Sequence, residues 1–210
     1  MNKFGRLKNT RKRKDCILII TEGDTEKIYF KQYNRNLKSN KISINVKTAD
    51  NNTDPYKIVE YAVNEIKRSY DSKIFVKIFC VFDTDAIANN KSNQNNYKNA
   101  IKLANEYKID LIISFPCFEL WFLLHFSPYN KPGKECNLII KELKKFIPSY
   151  PEDKNKYEFE KINFCDEYSE KLNSAIEYAK KLELKNGSAG DYPHTKIYKI
   201  IEALNYSKTD

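Results

Sequence analysis

Apolar residues fall in short unbroken runs that alternate with longer stretches of helical spacing. Residues 16–21 (CILIIT) read as a buried strand: short, β-branched and uninterrupted. A turn at Glu22-Gly23-Asp24 follows, with Asp24 as the expected N-cap, then a helix whose stripe is Ile28, Tyr29, Tyr33 and Leu37. Residues 42–48 alternate as a second strand. Asp54-Pro55 supplies a cap and a proline at the first helical position, ahead of a face made of Ile58, Val59, Ala62 and Ile66. Residues 74–82 form a third strand that ends in Asp83-Thr84-Asp85. The polar, Asn-rich residues 88–96 predict a loop, residues 97–107 a helix and residues 110–114 a fourth strand. Pro116 then opens an apolar helix that ends near His125.

Strands alternating with helices imply an α/β fold, with a mostly parallel four-stranded sheet covered on both faces. After Ser127 the character changes. Pro128, Pro132, Pro148 and Pro151 punctuate a lysine-rich, mostly helical region. Residues 166–184 predict one helix, with Tyr168, Leu172, Ala175, Ile176 and Ala179 on its stripe. A loop holding Gly187 and Gly190 leads to a last helix over residues 195–204. The expected organisation is a basic flexible arm (1–14), an α/β core (15–127) and a helical C-terminal extension (128–210) packed on that core as one unit.

The 210 residues suit one compact domain, and a hydrophobic share of 41% is enough to build its core. The net charge of +9 is unevenly spread. Residues 1–14 hold seven basic side chains and no acid, which leaves the remainder nearly balanced. Such an arm, with Arg11, Lys12, Arg13 and Lys14 at its end, either attracts a phosphate backbone or serves as a solvated tail. Five cysteines, odd in number and without a CxxC pair, indicate neither a zinc site nor a disulfide framework. Reduced cysteines suit the cytoplasm, the expected location. No secretory apolar region follows the basic start, and no apolar run reaches the ~20 residues of a membrane helix.

The candidate chemistry lies in acids at strand ends. Glu22 directly follows the first strand, and Asp83 and Asp85 follow the third. In a parallel sheet all strand C-termini face one edge, where ligands bind. Several carboxylates gathered there raise each other's pKa, and a divalent cation removes the conflict. Oxygen ligands without nearby His or Cys favour Mg²⁺ or Mn²⁺ over zinc. The alternative is that these acids are caps and turn formers. Glu26, one helical turn beyond Glu22, is either a further ligand or a first-turn acid favoured by the helix dipole. Glu119 sits in an apolar stretch, where a carboxylate needs a partner or a metal, and it follows the fourth strand toward the same edge. Lys196 is either a phosphate contact or a surface lysine. His125 and Trp121 are expected in the core, and His194 at the surface or a cap. A P-loop, a GxGxxG motif and a supported catalytic triad are all missing from the sequence.

Taken together, Thr21-Glu22-Gly23-Asp24-Thr25-Glu26 with Tyr29-Phe30, Val81-Phe82-Asp83-Thr84-Asp85, Ser114-Phe115-Pro116-Cys117-Phe118-Glu119-Leu120-Trp121 and Leu123-Leu124-His125-Phe126 resemble the RloB family. The late stretch 193–204 is similar to that family's C-terminal element, so the resemblance spans roughly residues 14–205. It implies a Toprim-like fold, in which the glutamate after the first strand and the DxD after a later one bind Mg²⁺; here these are Glu22, Asp83 and Asp85. It also implies a metal-dependent nuclease acting on RNA (tRNA included) or DNA, in bacterial anti-phage defence beside an ATPase partner. Glu26 or Glu119 would complete the site. Two other readings stay open. Asp83-Thr84-Asp85 mimics the nucleophile motif of haloacid-dehalogenase phosphatases, although it follows a third strand rather than a first. A non-catalytic subunit that grips nucleic acid or a partner would use the same acids.

Overall fold

The structure is a computed structural model and describes residues 14–37, 43–49, 52–70, 73–84, 91–129, 131–133, 135–151, 156–186 and 193–206. Four parallel strands form as expected: β1 (Lys14–Thr21), β2 (Ser43–Thr48), β3 (Lys73–Asp83) and β4 (Asp110–Phe115). They are ordered β2-β1-β3-β4, and a fifth strand, β5 (His194–Thr195), extends the sheet antiparallel to β4. That short strand comes from the C-terminal region, where only helix was expected. Thr195 pairs with Ser114 and His194 with Phe115, so the last helix, α9 (Ile197–Tyr206), starts two residues later than predicted. Lys14 opens β1 opposite Lys73, so the strand reaches back into the segment expected to be an arm. Arg11, Lys12 and Arg13 lie outside the described residues.

The unbroken apolar run of β1 is explained by burial on both sides. Ile17 and Ile19 face one core with Phe79, Val81 and Ile112. Leu18 and Ile20 face the other with Ile78, Cys80 and Phe82. The first core is closed by α1 (Asp24–Asn36), α4 (Glu119–Leu123), α5 (Cys136–Leu143), α6 (Lys156–Lys161), α7 (Phe164–Glu167), α8 (Leu172–Asn186) and α9. The second is closed by α2 (Pro55–Ser69) and α3 (Lys91–Tyr107). The C-terminal residues Ala175, Ala179, Ile197, Ile200 and Ile201 thus share one apolar cluster with the sheet.

Local chemistry accounts for the boundaries. Asp54 caps α2 as expected, accepting from the Tyr56 amide at 2.8 Å, with Pro55 at the first helical position. Asp54 also accepts from Asn96 at 2.6 Å, and α3 begins at Lys91, inside the stretch predicted as loop. Asparagine is a middling helix former, and packing of Ala100 and Ala104 against the second core overrides that preference. Gly23, not Asp24, is the N-cap of α1, and Asp24 instead pairs with Lys27 at 3.4 Å. The apolar helix starts at Glu119 rather than Pro116, because the Cys117 and Phe118 carbonyls take its first bonds from Leu120 and Trp121. The peptide Phe115–Pro116 is cis. The single helix expected over 166–184 is broken into α7, a 3₁₀ turn (Ser169–Lys171) and α8. Tyr168 leaves helical geometry there and packs edge-on against Phe126 and at a tilt against Phe164.

Candidate functional site

The strand order places the site. From β1 the chain passes to β2 on one side, then crosses back to β3 on the other. The helices leaving these strands, α1 and α2, pack on opposite faces. The C-terminal ends of β1 and β3 therefore flank the crevice where ligands bind in such sheets. Glu22 and Asp83 stand at those two ends. The Glu22 amide donates to the Val81 carbonyl at 3.0 Å, and its carboxylate Oε2 accepts from the Asp83 amide at 2.9 Å. Sixty-one residues separate the pair in sequence, and one hydrogen bond joins them here.

Glu26 is the second acid of the first turn of α1, and it is buried. Its carboxylate lies so close to Gly23 that a Cβ there would stand 2.8 Å from Oε2. The backbone of Gly23 is ordinary extended (φ −120°, ψ 178°), so the missing side chain matters here for the room it leaves the Glu26 carboxylate and not for backbone conformation. Thr21 is fully buried and its hydroxyl donates to the Gly23 carbonyl at 2.9 Å, fixing the turn between strand and helix. Lys27 donates to Thr48 at 3.3 Å, placing a cation at the ends of β1 and β2.

Glu119 reaches the same edge from α4. It is 2% exposed, and Tyr150 donates to its Oε1 at 3.2 Å. Burial pushes the Tyr150 hydroxyl well above the ordinary tyrosine range, and the negative charges of Glu119, Glu26 and Asp83 add to the rise. That phenol therefore sits in the combined field of three carboxylates from three elements. Nothing in the sequence singles it out: Tyr150 lies in Pro148-Ser149-Tyr150-Pro151, with no periodicity to flag it.

The structure thus brings Glu22, Glu26, Asp83 and Glu119 to one rim. Asp85 lies outside the described residues. Lys196 donates its amide to Ile113 beside β4, so that strand stands between it and Asp83. Lys14 enters through its backbone in β1. Among the described residues, one grouping of three His, Cys, Asp or Glu has its ligand atoms all within 4.8 Å: Cys117, Glu119 and Cys136. Glu22, Glu26 and Asp83 do not close to that spacing as a trio. Cys117 and Cys136 form a disulfide, which corrects the expectation of unpaired thiols. The cysteines are 19 apart, a spacing that carries no signal, and the fold joins them by seating the first residue of α5 against the turn before α4. Cys136 Sγ also lies 3.5 Å from Glu119 Oε2. A disulfide sulfur has no proton, so this contact becomes a hydrogen bond only for the thiol.

His125 and Trp121 lie in the core as expected. His125 Nδ1 meets the Trp121 carbonyl at 2.9 Å, and burial lowers the imidazole to about 4, which keeps it neutral. It is a packing residue between Trp121 and Phe164. His194 stacks on Phe115 within the β4–β5 pair. No helix among the described residues is long and apolar enough to cross a membrane.

Fold and rim together define an α/β protein with an acidic crevice at the turning point of a mostly parallel sheet. Residues 17–204 match the sequence profile of the RloB-like protein family, and the chain belongs to that family. No curated protein and no solved structure gives a significant match.

Proposed function

We propose that this protein is a divalent-metal-dependent nuclease of the Toprim type, with Glu22, Asp83 and Asp85 as metal ligands. The observation that carries this reading is the contact between the Glu22 carboxylate and the Asp83 amide, which joins the ends of β1 and β3 at the crevice. The donor set is oxygen only, which suits Mg²⁺ or Mn²⁺. When bound, such an ion polarises a phosphodiester and activates water. Glu26, beside Gly23, and Glu119, which accepts from Tyr150, would orient that water or bind a second ion. The basic residues Arg11, Lys12, Arg13, Lys14 and Lys196 would hold the nucleic-acid backbone. RNA (tRNA included) or DNA is the substrate, and the setting is anti-phage defence beside a separate ATPase, since the chain itself has no P-loop.

The test is cleavage of end-labelled tRNA, single-stranded RNA and DNA by the full chain, with Mg²⁺ or Mn²⁺ and with chelator. Asp83→Ala with Asp85→Ala should abolish metal-dependent cleavage while the far-ultraviolet circular dichroism spectrum is retained. A double variant that cuts as fast as the parent refutes the assignment. Binding without turnover, unchanged by metal, would favour the non-catalytic subunit instead.

A further inference from the structure

The Cys117–Glu119–Cys136 cluster is separate in chemistry from the oxygen-only rim. Cys117 and Glu119 flank the start of α4, and Cys136 begins α5. The Cα atoms of the two cysteines are 5.6 Å apart, so both sulfurs can reach one point. Glu119 is a carboxylate buried to 2% exposure whose Oε2 faces sulfur at 3.5 Å. In the disulfide that sulfur offers no proton, and a buried charge set against a group that cannot donate is unfavourable. A cation resolves this, and two sulfurs with one oxygen select a soft-to-borderline ion over Mg²⁺.

We propose that, once reduced, Cys117 and Cys136 together with Glu119 bind Zn²⁺, and that the disulfide is the oxidised, metal-free form of the same site. Three protein ligands leave a fourth position for water, the arrangement of an open tetrahedral zinc site. The interconversion is balanced as follows. A dithiol reductant delivers two electrons to the Cys117–Cys136 bond. Two protons are taken up to give two thiols, and the reductant is left as its own disulfide. Zinc then takes both sulfurs as thiolates, and two protons leave to water. Because Glu119 belongs to both groupings, the redox state of the pair decides whether its carboxylate is committed to zinc or left free to serve the oxygen-only rim.

The measurement is zinc retention by the full-length chain. Protein reduced with a phosphine is loaded with Zn²⁺, freed of excess by gel filtration, and titrated with a chromophoric chelator. The reduced parent is expected to hold one zinc per chain. Cys136→Ser should weaken it by about 100-fold, since even the loss of an outer partner costs about that. Glu119→Gln should weaken it as well. Cys165→Ser, a cysteine outside the cluster, serves as control and should leave zinc binding intact. Parent oxidised with diamide should take up none and recover on reduction. If the reduced parent yields its zinc to the chelator as readily as Cys136→Ser does, or if the oxidised chain binds equally well, the site does not exist. The Asp83→Ala chain should bind zinc like the parent, so failure here is distinguishable from failure of the nuclease proposal.

Discussion

Replacing Tyr150 by phenylalanine removes one oxygen and leaves the ring in place between Phe122 and Phe159. The lost group is the donor to Glu119 Oε1. Tyr150 is 4% exposed and Glu119 2%, so water cannot readily take the place of the phenol. Leaving a buried carboxylate oxygen without its donor costs about 1.5–3 kcal/mol. For a chain of this length that corresponds to a fall of roughly 3–12 °C in Tm, at about 2–4 °C per kcal/mol. The assay is thermal and urea unfolding, run with chelator so that no cation substitutes for the hydroxyl. Glu119→Gln and the double variant complete a cycle, whose coupling should be about 1–3 kcal/mol, as for contacting polar groups. A Tyr150→Phe chain that melts within about 1 °C of the parent, with no coupling in the cycle, would show that the phenol does not hold Glu119.

Gly23→Ala should displace the Glu26 carboxylate, because the new Cβ would stand 2.8 Å from Oε2. The obstructing atom ends a flexible side chain, so the stability change should stay below about 1 kcal/mol. On the proposed function, metal-dependent cleavage should fall by about 100-fold, the usual effect of misplacing a group near the chemistry by about 1 Å; steady-state rates beside denaturation curves check both. His125 is held neutral, at about 4 against an ordinary 6.5, while the unfolded chain takes up a proton as pH drops below that value. Its contribution is therefore complete above pH 6.5 and is lost as pH falls to about 4, a difference of about 3 kcal/mol. Urea midpoints against pH should show this slope, and His125→Gln should flatten it. Thr195→Val removes the fully buried 2.8 Å bond to the Ser114 hydroxyl and should cost about 1–3 kcal/mol by calorimetry.

The first two-thirds of the chain was legible because burial on two faces leaves a distinctive trace. The run CILII has no polar interruption only because Ile17 and Ile19 serve one core and Leu18 and Ile20 the other. Once the strands were placed, the acids at their ends followed from parallel topology, and Glu22 and Asp83 do meet. What stayed hidden depends on contacts remote in sequence. β5 is two residues long, too short for any periodicity, and exists because β4 offers an edge. The Asp24 cap was the reasonable expectation from residue type, yet the cap falls on Gly23, beside which the Glu26 carboxylate lies. Helix 166–184 had a continuous stripe, but the pull of Tyr168 toward Phe126 and Phe164 is invisible along the chain. Tyr150 and the Cys117–Cys136 pairing are likewise products of how the C-terminal region folds back.

That fold-back gives the tail of the polypeptide mechanical leverage over its centre. Ser114 is stitched sideways to Asp83 in β3 and to Thr195 in β5, and the chain runs on from β4 directly into the segment bearing Cys117 and Glu119. The final helix, which follows β5 directly, is therefore two strands away from the rim. Trimming the last few turns, or tethering a bulky tag there, amounts to pulling a thread from the seam rather than removing an ornament.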